Sequence, residues 1–479
     1  MDHFVDSIES QKYICRRFDM LTSHITIRFL FFYANSGGAE DFMPGRQLEE
    51  GFYRILALCP WFAGVIKQTR GGGMEVIVDK GNLNMPDYRE SQSLVPFSKI
   101  QSSGFNRATW PDDLVPVGLA AYPDETTRMI KLLHIHVVRL KDNSGVAISV
   151  NFNHGVADAT TAITFLNRWA DETRALVTGV PVAEATFCFG ADIIKRHLPS
   201  ERAPLSEVSC KVLSAKSRVA DFIMWLSPNR RGLLMNYLIN SASPRGHLFR
   251  ISRAKIDGLR DQVLEHLPHG TRLSTNDIIS AVAHRVHEQA VARKQQGWLA
   301  KLTDRKNRLA GEHCTLVVAN FRGHLGMTEL NYMGNPVFGE FVLTPMHQAH
   351  LPITPKTISV VAAQIRSLVS AITLPRIGQN IDVFDSGEKY AADFFAVAMN
   401  HKLVTATSNI ASTKMYAADF GHGVQAFSTV HPEFSMGLFS ILQSPPPSKD
   451  ILVNFCDAAL VMDGFLKNEF WSDFSELVY

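Results

Sequence analysis

The chain has 479 residues, a hydrophobic fraction of 46% and a formal net charge of +2. This length exceeds one ordinary hydrophobic core, so we expect two globular domains and exclude a disordered chain. Basic residues cluster only in short pairs such as Arg16-Arg17 and Arg230-Arg231, which argues against a nucleic-acid-binding protein.

Hydrophobic periodicity predicts strands and helices that are interleaved along the whole chain. Apolar residues alternate or form short runs in the expected strands, and they recur every three or four positions in the expected helices. The expected strands cover residues 25–33, 64–68, 74–78, 129–140, 146–153, 315–320 and, as the last one, 451–455. The expected helices cover residues 48–58, 158–176, 278–292 and 357–372. This mixture indicates an α/β protein of the mixed α+β type.

The periodic pattern weakens in one stretch, residues 178–205, which contains Pro181, Pro199 and Pro204. We therefore expect an N-terminal domain at residues 1–190, a crossover at residues 191–220 and a C-terminal domain at residues 221–479.

Three consecutive glycines, Gly71 to Gly73, separate two of the expected strands. Glycine suits the tight turn of a β-hairpin, which is our interpretation. A phosphate-binding loop is the alternative, but such a loop leads into a helix, and the pattern predicts no helix here.

His154 is the candidate for a catalytic base, and it follows the strand at residues 146–153. It has the same parity as Val146 and Ile148, so we expect it to point to the same buried side. Imidazole titrates near neutral pH and can accept a proton from a hydroxyl or an amine. The alternatives are a core histidine held by backbone groups, and a metal site shared with Asp158, for which the sequence offers no third ligand.

A second motif, Asp419-Phe420-Gly421-His422-Gly423, lies near the C-terminus. Its glycines predict a turn with positive φ angles, and an aspartate beside such a turn more often fixes the loop than performs chemistry. The sequence has no GxSxG elbow, Walker loop or HExxH motif, and no GxGxxG after a strand. No serine or cysteine stands out as a nucleophile, which favours direct attack of one substrate on the other.

The cysteines and the first residues indicate a compartment. The six cysteines are widely spaced and form no CxxC pair, which suits reduced thiols. The start, Met1-Asp2-His3-Phe4, lacks the basic and apolar run of a signal peptide, and the apolar residues 29–33 are too few to span a bilayer. We expect a cytoplasmic protein with no membrane span, and we expect it to be a monomer.

Together and in this order, the two motifs resemble the HxxxD and DFGWG signatures of the BAHD acyltransferases. Further segments resemble the family's "P-L-A-G-R", its Ser/Thr-started helix, its "V-D-x-R … Y-F-G-N" and its "F-Y-x-A-D-F-G". These segments are residues 59–64, 274–284, 319–322 with 332–335, and 415–421. The resemblance covers nearly the whole chain, and it is closer to fungal than to plant members.

The resemblance implies two domains of the chloramphenicol-acetyltransferase type, with a solvent channel between them. It implies that His154 is the general base midway along this channel and that Asp158 pairs with Arg322 as structural support. The same resemblance implies roles for seven other residues. Asp419, Gly421 and Gly423 are expected to be structural, and Ser274, Asn335, Ser408 and Asn409 are the candidate substrate-binding residues. The resemblance implies no metal and no permanently bound cofactor, with acyl-CoA as a co-substrate.

Three residues depart from the family pattern. Ala159 stands where the family usually has a glycine after HxxxD, and His422 replaces the tryptophan of DFGWG. In some members a tryptophan N–H helps to hold the oxyanion, and by spacing Ile410 stands at that position. Ser408 or Asn409 would then have to donate instead.

We therefore expect an acyl-CoA-dependent O- or N-acyltransferase of the EC 2.3.1 type that serves secondary metabolism. It would act on a small-molecule alcohol or amine, with both substrates bound together. One alternative is a catalytically silent member that binds a ligand or a partner. The other is a condensation-type domain that takes its acyl group from a carrier protein. Its usual signature is HHxxxDG, from which Asn153 and Ala159 depart.

Overall fold

The computed structural model describes residues 5–23, 25–69, 73–114, 130–213, 243–295, 311–385, 404–433 and 437–479, with five single residues between 213 and 243. The strands are β1 (Gln11–Cys15), β2 (Thr26–Ala34), β3 (Val65–Gln68), β4 (Met74–Val78), β5 (Asp87–Gln92), β6 (Leu133–Arg139), β7 (Gly145–Asn153), β8 (Pro244–Ile251), β9 (Glu312–Asn320), β10 (Val337–Pro345), β11 (Val404–Asn409), β12 (Phe427–Val430), β13 (Leu438–Gln443), β14 (Ile451–Ala458) and β15 (Glu476–Leu477). The α-helices are α1 (Arg17–Thr22), α2 (Gly45–Leu58), α3 (Phe97–Ser102), α4 (Ala159–Thr178), α5 (Ala191–Arg196), α6 (Glu207–Leu213), α7 (Arg253–Leu264), α8 (Thr275–Gln295), α9 (Pro355–Ser370), α10 (Leu374–Asp385), α11 (Ala459–Leu466) and α12 (Glu469–Phe474). The mixed α/β class expected from the sequence is confirmed.

The N-terminal sheet has the strand order β12-β2-β7-β6-β5, and its pairs are antiparallel except β5 with β6. Every residue of β7 is buried, so both faces of the sheet are covered. Its apolar face carries Val146 and Phe152, and this face joins the core that also contains the inner faces of α2 and α4. The opposite face of β7 is polar, with Ser149 and Asn151.

The C-terminal sheet has the order β10-β9-β11-β13-β14-β8-β15, and β11 runs parallel to both of its neighbours. Helices α7, α8, α9 and α11 share one hydrophobic core with one face of this sheet, which carries Phe439 and Phe455. The other face carries Leu248 and Leu442, and these two residues belong to the core of the N-terminal sheet. This face of the C-terminal sheet therefore contributes to the core of the N-terminal sheet.

Strand β12 joins the two halves of the chain. After β11 the chain leaves the C-terminal sheet, and β12 pairs with β2, Val430 opposite Phe29, before the chain returns as β13. A strand from the C-terminal half is thus part of the N-terminal sheet. The structure describes residues 191–213 of the expected crossover, whereas residues 214–221 lie outside the described ranges. The domain limits therefore stay a prediction.

The expected elements agree with the structure except at two places. The strand expected from residue 129 begins at Leu133, and residue 129 lies outside the described ranges. The expectation that residues 451–455 form the last strand is wrong, because β15 follows and pairs with β8. Strands β3 and β4 form the expected hairpin, but Gly71 and Gly72 lie outside the described residues.

In the described ranges, no single helix is long and apolar enough to cross a bilayer. Helices α9 and α10 reach that length and composition only as a pair, and they are bent by 96° to one another.

Candidate active site

His154 lies directly after β7, at the point where the chain turns towards α4. Its backbone N–H donates to the carbonyl of Ile25 at 2.8 Å, which continues the pairing of β7 with β2 by one residue. The turn that starts here breaks the alternation of the strand. His154 is partly buried, whereas Phe152 is fully buried, and His154 lies just beyond the C-terminal end of this central strand.

The ring of His154 has one nitrogen fixed by the backbone. Nδ1 lies 3.0 Å from the carbonyl oxygen of Ala157, and since a carbonyl only accepts, Nδ1 carries the proton. The lone pair is then on Nε2, the atom that can accept a proton. Burial lowers the pKa of His154, and the negative charge of Asp158 opposes that shift in part. The imidazole is therefore neutral at neutral pH, as a general base must be.

Asp158 forms a two-point ion pair with Arg322. Arg322 Nη1 donates to Oδ2 at 2.6 Å and Nη2 donates to Oδ1 at 2.9 Å. Asp158 is also the N-cap of α4, because Oδ1 accepts the backbone N–H of Thr161 at 2.8 Å. The exposed fractions of the two side chains are 6% and 7%, so the pair is buried.

Arg322 reaches Asp158 from the loop after β9 and ties that loop to the histidine turn. Its Nε donates to the carbonyl of Tyr332 at 3.0 Å, and its Nη2 donates to the carbonyl of Gly334 at 3.0 Å. The same carbonyl of Gly334 accepts from the Thr161 hydroxyl at 2.8 Å. The pair thus joins α4 to the C-terminal half of the chain.

Three polar contacts hold the backbone of the turn at His154. The Thr22 hydroxyl lies 2.9 Å from the His154 carbonyl, and Asn335 Nδ2 lies 3.3 Å from the same oxygen. Asn153 Oδ1 accepts the backbone N–H of Gly155 at 2.9 Å. A side chain at Gly155 would meet Ser23 Cβ at 2.9 Å, so this residue must stay small.

The Asp419 loop is built as a structural turn. Asp419 Oδ1 accepts the backbone N–H groups of Gly421 and Gly423 at 2.8 and 2.9 Å. Both glycines have positive φ angles, +99° and +95°, where L-residues are strained. Phe420, which precedes Gly421, is buried, and its ring packs edge-on against Trp169 of α4 at 5.0 Å between centroids. The loop therefore packs against α4 through Phe420.

His422 of this loop borders a surface pocket of about 370 Å³, together with Asn35 and Phe42. Its ring meets Phe42 edge-on, with a centroid distance of 5.3 Å. The pocket is at the Ala34 end of β2, whereas His154 is at the Thr26 end. With a strand rise of roughly 3.4 Å per residue, the two ends are about 27 Å apart. The pocket is therefore separate from the candidate base.

The four candidate substrate-binding residues occupy different places. Asn335 is buried beside His154, as described above. Ser274 is exposed and starts α8, where its hydroxyl donates to Asp277 at 2.9 Å and accepts from Arg366 at 2.9 Å. Ser408 is half-buried opposite Ser440, and exposed Asn409 accepts the N–H of Ala411. No hydrogen bond among the described residues links Ser274, Ser408 or Asn409 to His154. Ile410 is buried in the core.

The contributions of Thr22, Asn153 and Thr161 were not predicted from the sequence. The Thr22 hydroxyl donates to the carbonyl of His154, and the Thr161 hydroxyl donates to the carbonyl of Gly334. The two residues of each contact are far apart in the sequence, so no spacing indicates these contacts. Asn153 had a local signal, because an asparagine two residues before a glycine often accepts its N–H in a tight turn.

Among the described residues, no group of three or more His, Cys, Asp or Glu side chains is arranged to hold a metal ion.

Some known proteins resemble part of this sequence, and some known structures have a similar fold over nearly the whole chain. Residues 15–206 match the model of the Transferase family. A hydroxycinnamoyltransferase from Narcissus pseudonarcissus is 24% identical over 174 residues, which are 36% of this chain and 37% of that protein's length. The structure of F. graminearum TRI101 complexed with coenzyme A and T-2 mycotoxin has a TM-score of 0.67 and 14% identity, covering 98% of this chain and 100% of that one. Vinorine synthase has a TM-score of 0.57 and 16% identity, with coverage of 94% and 91%. The family resemblance and the two-domain fold that it implied are confirmed.

Proposed function

We propose that this chain is a BAHD-type acyltransferase that moves an acyl group from an acyl-CoA thioester to a hydroxyl or amine of a small molecule. The match of residues 15–206 to the Transferase family supports this proposal. In this proposal acyl-CoA is a co-substrate that binds and leaves in each cycle. His154 is the general base, Asp158 and Arg322 hold the turn that carries it, and the Asp419 loop holds α4.

The observation that carries the proposal is the state of the His154 ring. The carbonyl of Ala157 fixes the proton on Nδ1, so Nε2 is free to take the proton of the acceptor. The deprotonated acceptor attacks the thioester carbonyl and gives a tetrahedral oxyanion. The oxyanion collapses, the C–S bond breaks, and the leaving thiolate takes the proton back from Nε2. Base assistance of this kind accelerates a reaction by roughly 10²–10⁴-fold.

We propose that both substrates bind to the protein, in a ternary complex, before the acyl group is transferred. The TRI101 structure was obtained with coenzyme A and T-2 mycotoxin present together, and it shares this fold. Two substrates held side by side avoid much of the entropic cost of a bimolecular step. The chain also shows no serine or cysteine that stands out as a nucleophile for an acyl-enzyme.

The experiment that tests the proposal is an initial-rate study of thiol release from acetyl-CoA with a panel of alcohols and amines. We expect intersecting double-reciprocal plots at several fixed acceptor concentrations. We also expect no change in protein mass when the protein meets acetyl-CoA alone. Parallel plots with a protein mass increased by one acetyl group would contradict the ternary complex and indicate a covalent intermediate.

Two alternatives make different predictions in the same assay. A silent member that only binds a ligand would release no thiol with any acceptor. A condensation-type domain would use an acylated carrier protein and not acetyl-CoA. A condensation domain does share the fold, with a TM-score of 0.52. However, its double-histidine signature is interrupted here by Asn153, whose side chain holds the turn at Gly155.

A further inference from the structure

Helix α1 packs against the turn that carries His154. The Thr22 hydroxyl, at the end of α1, donates to the carbonyl of His154 at 2.9 Å. The next residue, Ser23, accepts a hydrogen bond at its carbonyl from Asn153 Nδ2 at 2.7 Å. A side chain at Gly155 would lie 3.0 Å from a backbone carbonyl oxygen of α1. The helix and its cap therefore contact three successive residues of the turn, so a shift of α1 would displace the candidate base.

Helix α1 is too short to keep its own position. It has six residues and is about 9 Å long. Isolated helices of fewer than roughly 12 residues are marginal in water, so the place of α1 depends on contacts with the rest of the protein. The residue at its N-cap position is Arg16, whose side chain has no oxygen to accept the first backbone N–H groups. The cap of α1 must therefore come from another element.

Asp385, the last residue of α10, supplies this cap. Its Oδ1 accepts the backbone N–H of Arg17 at 3.0 Å and that of Phe18 at 3.4 Å, although Phe18 is 367 residues away in the sequence. The neighbouring ring of Phe384 packs edge-on against Phe18, with 5.3 Å between the centroids. Two adjacent residues from the C-terminal half of the chain thus hold the first turn of α1.

Arg16 places a buried positive charge beside the cap. Its Nε lies 3.7 Å from Asp385 Oδ2, and the exposed fractions of the two side chains are 1% and 14%. Water therefore competes little for the carboxylate, and hydrogen bonds from backbone N–H groups to a carboxylate are stronger than those to a neutral acceptor. A continuous series of contacts thus leads from Asp385 through α1 and Thr22 to the carbonyl of His154.

We infer, on the basis of the proposed function, that Asp385 is a positioning residue for His154. It holds the start of α1, and Thr22 at the end of α1 holds the turn that carries the base. Among the described residues, no hydrogen bond joins Asp385 to His154 directly, so its influence on the base passes through α1. A displaced base slows the proton transfer but leaves the binding of the co-substrate intact. The effect therefore falls on kcat and not on KM for acetyl-CoA.

The first arm of the test compares Asp385→Leu with Asp385→Asn in thiol release from acetyl-CoA. Both variants have nearly the size of aspartate and both remove its charge, but only asparagine keeps an oxygen that can cap α1. We expect Asp385→Leu to lower kcat by about tenfold and Asp385→Asn to keep most of the rate, with KM for acetyl-CoA unchanged in both. Equal rates of the two variants, or an effect on KM for acetyl-CoA alone, would overturn the inference.

Two further variants support this comparison. Asp382→Leu is the control, since Asp382 lies one turn earlier on α10, is 50% exposed and pairs with Arg202 at the surface, so kcat should stay unchanged. Asp385→Glu replaces Asp385→Leu if the latter does not fold. It keeps the charge beside Arg16 but moves the carboxylate by one methylene, so kcat should fall in this variant too. Full activity of a folded Asp385→Glu protein would then overturn the inference.

The second arm asks whether Asp385 acts through Thr22. Thr22→Val removes the hydroxyl at nearly constant volume, and we expect it to lower kcat by about tenfold on its own. If both residues belong to one series of contacts, Thr22→Val combined with Asp385→Leu should lower kcat no further than the larger single effect. A loss of about a hundredfold, the product of two independent effects, would show that Asp385 does not act through Thr22.

The third arm needs no turnover and separates this inference from the proposed function. It measures amide hydrogen exchange in residues 17–22 and 154–158, where the N–H groups of His154, Val156 and Asp158 are hydrogen-bonded. Asp385→Leu should exchange roughly fivefold faster than Asp385→Asn in both segments, which corresponds to the loss of one cap. Faster exchange in residues 17–22 alone would overturn the inference. The proposed function is judged by His154→Ala: if thiol release persists there, that function fails, whatever the exchange shows.

Discussion

Replacing Asp158 with Ala tests whether this residue supports the site or takes part in the chemistry. The substitution removes two bonds from Arg322 and the cap of α4. Breaking one side of a buried ion pair costs about 3–5 kcal/mol, and losing an N-cap costs about 1 kcal/mol. Arg322 keeps its bonds to the carbonyls of Tyr332 and Gly334, which lowers the first figure. We expect a total loss near 4 kcal/mol, a large part of the 5–15 kcal/mol that is typical of a domain.

The assay is urea unfolding followed by tryptophan fluorescence, with thiol release measured on the same preparations. Asp158→Asn is the matched control, because its amide oxygen can still cap α4 while the charge is lost, so it should lose about 3 kcal/mol. Replacing Arg322 with Met in addition to Asp158→Ala should recover part of the stability, since no unpaired charge then remains. Unchanged stability of Asp158→Ala together with lost activity would refute the supporting role and indicate a direct chemical one.

Three further predictions concern the turn and its neighbours. Gly155→Ala should lower kcat by about tenfold or more, because the new side chain displaces His154. Gly258→Ala is the control and should leave kcat unchanged, because its Cβ meets no atom within 4 Å. Equal rates for the two variants would contradict this prediction. Burial raises the pKa of Asp19 to about 7, so the folded state prefers the protonated carboxyl. Stability should therefore fall as pH rises from about 4 to 7, and Asp19→Asn should remove this dependence; a dependence that persists in the variant would refute the assignment. Because burial lowers the pKa of His154, the acidic limb of kcat/KM should lie below about pH 6.5, and a limb above that value would argue against His154.

The local part of the site could be predicted from the sequence because its signals lie close together in the chain. The alternation in β7 and the start of α4 placed His154 and Asp158 in a turn between a strand and a helix. The two glycines of the Asp419 loop indicated positive φ angles, and the structure has them at Gly421 and Gly423. Each of these features depends on neighbours within a few residues.

The long-range part could not be predicted from periodicity, since it depends on which elements meet in space. The pairing of Asp158 with Arg322 followed only from the family resemblance. The contact of Asn335 with the backbone of His154, and the insertion of β12 into the N-terminal sheet, had no local signal. Whether His154 points to the same side as Val146 and Ile148 stays a prediction from parity, because β7 ends one residue before it.

The most direct measurement of the central claim is thiol release from acetyl-CoA by the His154→Ala protein in the presence of a productive acceptor. The control is His269→Ala, which removes an exposed histidine on the surface. We expect His154→Ala to lower kcat by about two to four orders of magnitude with an unchanged melting temperature, while His269→Ala keeps the full rate. A folded His154→Ala protein that turns over at nearly the original rate would contradict it.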